Sequence, residues 1–407
     1  MASNPRNTPA SGGAVPLAEV DIRTSIRPTV ATIDLGAIQR NFLRLREMVG
    51  AGPAIWSVIK ADAYGHGAVA VARALESLSN ALAVSLVEEG LELRAAGVRA
   101  PIVVLGAAFN RHQNEVLEER LTPVVYDPGD LDRFAAAATK RGRPAAVHIK
   151  VDTGMSRLGV STVELPALLD RVAELPGVTL AGLCTHFASA DMPDGAPTDE
   201  ALARFAPCLD LASRRWPGTL TNHAANTAAA VRFPKTRLDA IRPGLALYGT
   251  VPSSHVSLPG LEPALRLGTR IMAMHEIQAG TAVSYGGLWR AARPSRIATL
   301  PLGYADGYPR HVRGAEVLLR GARVPIVGAV CMDMFMIDVT DVPGAAVGDA
   351  VTLIGQDGAQ RITVEDLAGW AGTVSYEILC GISKRVPRVY LNSSTTAPPS
   401  QPPASSP

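Results

Sequence analysis

The chain has 407 residues, 47% of them hydrophobic and 19% charged, with 39 Lys+Arg against 37 Asp+Glu and a formal net charge of +2. That length implies roughly two or three domains with a sizeable core. The near balance of charge, without a basic run or aromatic–basic interleaving, argues against a nucleic-acid surface. No apolar run is long enough to span a membrane, and the first residues lack the positive-then-apolar pattern of a signal peptide. Cys184, Cys208, Cys331 and Cys380 are widely spaced and form no C-x-x-C, so neither a zinc site nor a disulfide framework is expected and a reducing, cytoplasmic setting fits.

Residues 1–27 read as a disordered tail. Pro28–Asp34 is β-rich, and Ile38, Phe42, Leu45 and Met48 then recur at near-helical spacing. Apolar runs of strand length follow at Ala54–Ile59, Leu82–Leu86, Ile102–Leu105, Pro123–Tyr126, Ala146–Val151, Thr179–Thr185, Thr219–Asn222 and Asp239–Arg242. Helical patterns separate most of them, among them Ala68–Leu78 and Glu88–Ala96, the latter stopped by Gly97. Strand–helix alternation implies parallel pairing through right-handed crossovers, and eight such strands predict a closed (β/α)₈ TIM-type barrel over residues 28–260. An open doubly wound sheet is the rival, but the first strand–helix turn is not G-x-G-x-x-G and there is no P-loop.

Beyond Leu261 the texture changes. Strand-like segments alternate with turn signals at Gln278–Gly280, Gly286–Gly287, Arg320–Arg323, Pro343–Gly348 and Gln356–Gly358. This predicts a mainly β C-terminal domain over 261–391, with one helix at Val364–Trp370 and a long hairpin over Val317–Val339 bent near Gly328. The Pro/Ser-rich residues 392–407 read as a second disordered tail.

In a barrel, reactive residues gather at the C-terminal ends of the strands. Strand one ends in Lys60, with Tyr64 and His66 just beyond; strand five ends near Lys150, followed by Asp152–Arg157. Strand six ends at His186, strand seven at Asn222-His223 with Asn226 and Thr227 beyond, and strand eight in Arg242, Gly244 and Leu245. A lone lysine after a strand is more often a solvated charge, and a lone histidine a structural residue. A lysine backed by apolar residues can instead serve as nucleophile, Schiff-base former or proton acceptor. Lysines, arginines, histidines and hydroxyls converging at one mouth suit an anionic ligand that carries an aldehyde.

The motifs VIKADAYGHG, KVDTGMSRLG, THFASAD, HAANTAA, RPGLALYG, VSYGG, LPLGYADGYPR, GAVCMDMFMIDV and SYEILCGISKRVPRVY together resemble the alanine racemase family, in its order and at its intervals, from about residue 28 to residue 391. The first motif is shared with other barrel-type pyridoxal phosphate enzymes; the full set is specific. The resemblance implies that Lys60 carries pyridoxal 5′-phosphate and that Tyr285 is the second catalytic residue, on the opposite side of the cofactor. It places Arg157 on the cofactor's phenolic oxygen, Arg242 at the pyridine nitrogen, His186 close to the ring and His223 between Arg242 and Tyr285. Tyr64, Asn226, Thr227, Gly244, Leu245 and Tyr376 would hold the cofactor, chiefly its phosphate. Arg157, Met332 and Asp333 would meet the amino-acid substrate, Met332, Asp333 and Tyr285 coming from the other subunit of a homodimer. Tyr304 and Tyr376 would narrow the entrance. Lys150 is carbamylated in many members of the family; such a carbamate would place an anion between two cations and orient Arg157.

Inverting Cα requires removal of a proton from one face and delivery to the other. Two fixed bases make this directly reversible, with the cofactor stabilising the carbanion. A tyrosine, with a reference pKa of about 10, needs a nearby cation to act as a base. Arg242 can only donate, which would keep the pyridine nitrogen unprotonated. The product would be D-alanine for peptidoglycan. Rival readings are a racemase of broader specificity (serine, lysine or arginine), a barrel-type decarboxylase, a non-catalytic pyridoxal phosphate-binding homeostasis protein and a metal-dependent barrel hydrolase. The decarboxylase would carry a different set of second-domain motifs, including a catalytic cysteine. VSYGG and CMDM argue against the homeostasis protein, which would have no β domain. The lack of H-x-H spacing argues against the hydrolase.

Overall fold

A computed structural model of the protein describes residues 26–106, 112–218 and 220–392. Apart from residues 26, 27 and 392, both expected tails lie outside the described residues. The chain divides into two compact units, one of residues 33–265, 373–382 and 390–392, the other of residues 26–32, 266–372 and 383–389. Where the sequence suggests one boundary near residue 261, the chain crosses between units several times, and helix Ser375–Gly381 belongs with the barrel.

The larger unit is a closed parallel barrel. Its strands are β1 (Ala54–Val58), β2 (Ala81–Val84), β3 (Ile102–Val104), β4 (Leu121–Val125), β5 (Ala145–Asp152), β6 (Val178–Cys184), β7 (His223–Asn226) and β8 (Ala240–Arg242). Each pairs in parallel with its neighbour in sequence, and β8 returns to β1 to close the ring. Alternation sorts the side chains. On β5, Val147, Ile149 and Val151 are fully buried toward the helices, while His148 and Lys150 share the opposite face. Inside, Trp56, Ala81, Val103, Val124, Cys184 and Ala240 form one cluster contributed by six strands; each large apolar side chain buried in such a core contributes about 1.5–3 kcal/mol.

The helices begin and end where their sequences dictate. Asp34 accepts the Ala37 N–H at 3.0 Å to start Leu35–Val49, which buries Ile38, Phe42, Leu45 and Val49. Pro128–Arg141 starts after the Asp127 cap with proline in its first turn and stops at Gly142 with φ 69°. Strand seven departs from expectation. The pattern puts it at Thr219–Asn222; the Thr221 N–H does reach the Ala181 carbonyl on β6 at 2.8 Å, but the strand itself is His223–Asn226. The Asn222 side-chain oxygen takes the Leu183 N–H at 2.9 Å, and the Asn222 N–H goes to the Asp239 carboxylate. Asn222 is thus a polar hinge before the strand; Thr219 lies outside the described residues.

The smaller unit is an antiparallel sheet. Its strands run in the spatial order Ala273–Ile277, Ser295–Leu300, Phe335–Asp338, Ala322–Val327, Glu316–Leu319, Ala350–Asp357 and Leu265–Arg270. The expected long hairpin is a three-stranded meander: Glu316–Leu319 turns at Arg320-Gly321 into Ala322–Val327, which pairs with Phe335–Asp338. Cys331, within the expected hairpin, lies in the loop between the last two. Asp306 is a buried charge. It receives both terminal nitrogens of Arg27 at 3.0 and 2.7 Å, Arg385 at 3.3 Å and the Gly303 N–H at 3.0 Å. Arg27, assigned to the tail by composition, is therefore held in place.

Replacing Asp306 with Asn leaves two arginines facing a neutral group. Because both arginines reach water, the expected loss is about 2–4 kcal/mol, below the full cost of breaking a buried pair. Denaturant unfolding of D306N measures it.

Candidate active site

Lys60 opens a short turn that no right-handed helix could replace. Ala61, Asp62, Ala63 and Tyr64 all have φ of 52–53°, a left-handed turn of four non-glycine residues that costs about 1–2 kcal/mol for each. Surrounding groups hold it. Glu89 accepts the Ala61 N–H at 2.6 Å and the Ser85 and Leu86 N–H groups at 2.7 and 3.0 Å. Asp62 accepts the Ala68 N–H at 2.7 Å and so starts the next helix. His66 is a support of this turn: Nδ1–H donates to the Ala63 and Tyr64 carbonyls, and the ring stacks on Tyr248 at 4.5 Å. Two glycines admit other segments. A Cβ at Gly65 would lie 2.2 Å from the Leu379 carbonyl oxygen, and one at Gly67 would lie 1.8 Å from the Tyr390 hydroxyl.

The turn borders a cavity of 440 Å³ lined by Lys60, Tyr64, Lys150, Arg157, His186, Asn226, Thr227, Arg242, Gly244, Leu245 and Tyr376, and also by Ser85, Cys184 and Thr185. The barrel thus gathers every barrel-borne site residue expected from sequence except His223. No Asp or Glu lines the cavity. Among the described residues, the side chains of Lys60, Lys150 and Arg157 take no hydrogen bond or ion pair. Burial lowers the Lys60 pKa, with Arg157 adding to the effect; burial also lowers that of Lys150, with Arg242 and Arg157 adding. Arg157 sits on a loop shaped by Asp152, whose Oδ1 accepts the N–H groups of Gly154, Met155 and Ser156 at 2.9, 2.9 and 3.2 Å.

Tyr64, Tyr376 and Thr227 present hydroxyls to this cavity. Tyr64 packs on Tyr248 and Tyr376 with centroids 5.0 and 5.8 Å apart, and burial pushes Tyr376 up to about 12. The Gly244 N–H, expected to face a phosphate directly, is given to Thr227 Oγ1 at 3.1 Å. That leaves the Thr227 proton for a ligand. Asn226 accepts the Ala229 N–H and caps the helix that begins at Thr227, so it shapes the wall.

Arg242 is buried, and both its terminal nitrogens are directed. Nη2 donates to the Thr185 and Ala224 carbonyls at 2.8 and 3.0 Å and lies 3.5 Å from His186 Nδ1, while Nη1 donates to His223 Nδ1 at 2.5 Å. His223 Nε2 in turn stands 3.3 Å from His148 Nδ1. Both nitrogens of His223 are therefore engaged inside the barrel, which corrects its expected place between Arg242 and Tyr285. His186 is the histidine that faces the cavity. Burial, then Arg242, Lys150, Arg157 and Lys60, bring His186 down to about 3. His148 was missed from sequence, although it lies two residues before Lys150 on the same strand face.

In the smaller unit Tyr285 follows Ser284, whose φ is 66° and whose hydroxyl bonds the Ala329 carbonyl at 2.7 Å and contacts Cys331 Sγ at 3.4 Å. The 331–332 backbone accepts the Tyr304 and Ala305 N–H groups, both at 3.0 Å. A Cβ at Gly303 would meet the Cys331 and Met332 carbonyl oxygens at 2.3 Å. One compact feature thus carries Tyr285, Met332 and Tyr304, with Tyr285 74% and Met332 53% exposed. Asp333 is paired with Arg385 at 2.7 Å, so its carboxylate has a cation of its own.

Two family domains match the chain: the alanine racemase N-terminal domain over residues 33–252 and the alanine racemase C-terminal domain over residues 264–390. The chain belongs to the alanine racemase family. It is 45% identical to the alanine racemases of Halothermothrix orenii and Sorangium cellulosum, each over 90% of this chain and over 97% and 99% of theirs. Among solved structures, the alanine racemase of Streptomyces lavendulae superposes with TM-score 0.86 at 34% identity, covering 90% of this chain and 98% of its own. That of Bacillus anthracis, solved with bound L-Ala-P, gives 0.84 at 37%, covering 90% and 95%. Membership makes the chain an isomerase, and the barrel followed by a mainly β domain is the architecture of these alanine racemases.

Because a lowered pKa enlarges the neutral fraction at any given pH, Lys60 and Lys150 should react with a small amine-directed reagent at lower pH than a free lysine amine. Peptide mass mapping of cofactor-free protein across pH 7–10 checks this. Gly65→Ala should displace Ser375–Gly381 and lower stability by about 2 kcal/mol or more, read by thermal unfolding.

Proposed function

We propose that the protein interconverts L- and D-alanine using pyridoxal 5′-phosphate held on Lys60, with Tyr285 of a second copy of the chain as the opposing base. The observation that carries this reading is the acid-free cavity in which Lys60, Lys150 and Arg157 stand without partners. A ligand with a phosphate, a phenolate and a carboxylated substrate fits that excess of cations; a neutral ligand does not. The hydroxyls of Tyr64, Tyr376 and Thr227 suit the phosphate. Arg157 suits the phenolic oxygen or the substrate carboxylate. Arg242, whose Nε has no partner among the described residues, suits the pyridine nitrogen.

When bound, the cofactor supplies an electron sink that makes the α-proton of an amino acid removable. The rest falls to side chains. Lys60, its pKa lowered by burial and by Arg157, can exist as the free amine and take a proton from one face. Tyr285 acts on the other face, which separates the two directions of the reaction between two residues. His186 is held neutral next to Arg242 and keeps a further charge out of the site. A carbamate on Lys150, replacing one cation of that excess, would supply an anion to orient Arg157. The exposure of Tyr285, Leu288 and Met332 supports a homodimer that covers them. D-alanine supply for peptidoglycan in the cytoplasm is the role this activity would serve.

Protein purified with the cofactor should absorb near the visible edge and, after borohydride reduction, carry the added mass on Lys60. Lys60→Ala should show neither, and an unmodified Lys60 in the active wild type would sink the assignment. Tyr285→Phe should lower racemisation by about 10²–10⁴-fold, as expected for removal of an acid–base group, while retaining solvent-deuterium exchange at Cα of one enantiomer. Equal loss of exchange from both enantiomers contradicts the division of labour. Intact mass with and without added bicarbonate tests the carbamate on Lys150.

A further inference from the structure

Beneath the cavity, His148 on β5, His223 on β7 and Trp56 on β1 form a packed aromatic group inside the barrel. Trp56 lies 5.4 Å from the His148 ring and 4.3 Å from the His223 ring, and the two imidazoles are 4.8 Å apart, edge to face. Both histidines are almost completely shielded from solvent. Gly182, the partner of His148 on β6, lies against both neighbours: a Cβ there would stand 2.1 Å from the Thr221 carbonyl oxygen and 3.1 Å from His148 Nδ1.

The contacts on the two sides of His223 allow one arrangement of its protons. Arg242 can only donate, so His223 Nδ1, 2.5 Å from its Nη1, must accept. A neutral His223 then carries its proton on Nε2, which points to His148 Nδ1 at 3.3 Å. His148 must therefore present a bare Nδ1 and keep its own proton on Nε2. Burial favours the neutral form of both rings, with Arg242 adding to it, and His148 is brought down to about 4.

We propose that His148 is a positioning residue for this site. By accepting the Nε2–H of His223 it selects the tautomer that offers Nδ1 to Arg242, and so fixes the guanidinium at the cavity. A second tautomer of His223 would put N–H against N–H and turn Arg242 away. The proposal rests on the function proposed above for the role of Arg242, but its central claim concerns protons that can be observed directly.

The test compares wild type, H148N and H148L, each with bound pyridoxal phosphate and again without it. Asparagine sets a side-chain oxygen close to where Nδ1 stood; leucine removes the acceptor. Histidine-selective ¹⁵N NMR of the eight histidines, with His223 assigned by substitution, should show the Nε2–H tautomer in wild type and H148N and its loss in H148L. For alanine racemisation, H148L should lower kcat by about 10–100-fold, the usual effect of removing a supporting hydrogen-bond partner, with KM changed by less than about threefold. H148N should recover most of kcat. An unchanged His223 tautomer in H148L, or an H148N that falls as far as H148L, overturns the proposal. Should H148L not fold, H148Q, which moves the oxygen by one methylene, takes its place. If wild type failed to racemise alanine, the functional reading would fall and the tautomer comparison would still decide the role of His148.

Discussion

Lys60, Lys150, Arg157 and Arg242 stand around one cavity, and no carboxylate lines it. Like charges repel at the effective dielectric of a protein, and Arg157 and Arg242 accordingly add to the burial that lowers the pKa of Lys60 and Lys150. The acids nearest to it are turned elsewhere. Glu89 serves three backbone N–H groups at the Lys60 turn, Asp62 starts the following helix and Asp152 shapes the Arg157 loop. The same carboxylates that could have neutralised the lysines and arginines instead organise the loops that aim them. The positive field and the geometry of the site thus have one origin.

The second constraint is order in the backbone. Four left-handed residues after Lys60, and the positive φ at Ser156 and Ser284, are conformations that L-residues adopt only under compulsion. They occur beside Lys60, Arg157 and Tyr285. The compulsion comes from side-chain caps and from close backbone approaches, as at Gly65 and Gly303. The cations behind them are set in turn by hydrogen bonds with one allowed direction, as in the series Arg242, His223, His148.

The barrel was legible in sequence because helical and strand spacings alternate so regularly, and its mouth was legible because strand ends carry the unusual residues. The failures have local causes. The seventh strand was misplaced because Asn222 looks like the end of an apolar run but uses its side chain as a backbone substitute. The meander was taken for one hairpin because Gly328 and the Cys331-Met332-Asp333 loop give no strong turn signal. The Gly244 N–H meets Thr227 Oγ1, a contact visible only once two loops come together. His223 lies deeper than expected because sequence order says nothing about depth along the barrel axis. His148 was overlooked because a histidine inside a run of apolar residues resembles an ordinary buried one.

The close approaches at Gly65 and Gly67 involve Leu379 and Tyr390, which follow hundreds of residues later in the chain. On a ribosome the barrel strands would all have emerged before either contact could form. The lysine turn would then have only its local supports, Glu89, Asp62 and His66. Contacts this distant in sequence are slow to close, so the barrel can take shape early while its reactive corner stays unfinished. Leu379 and Tyr390 thus pack last against a turn that the barrel's own side chains have begun to shape.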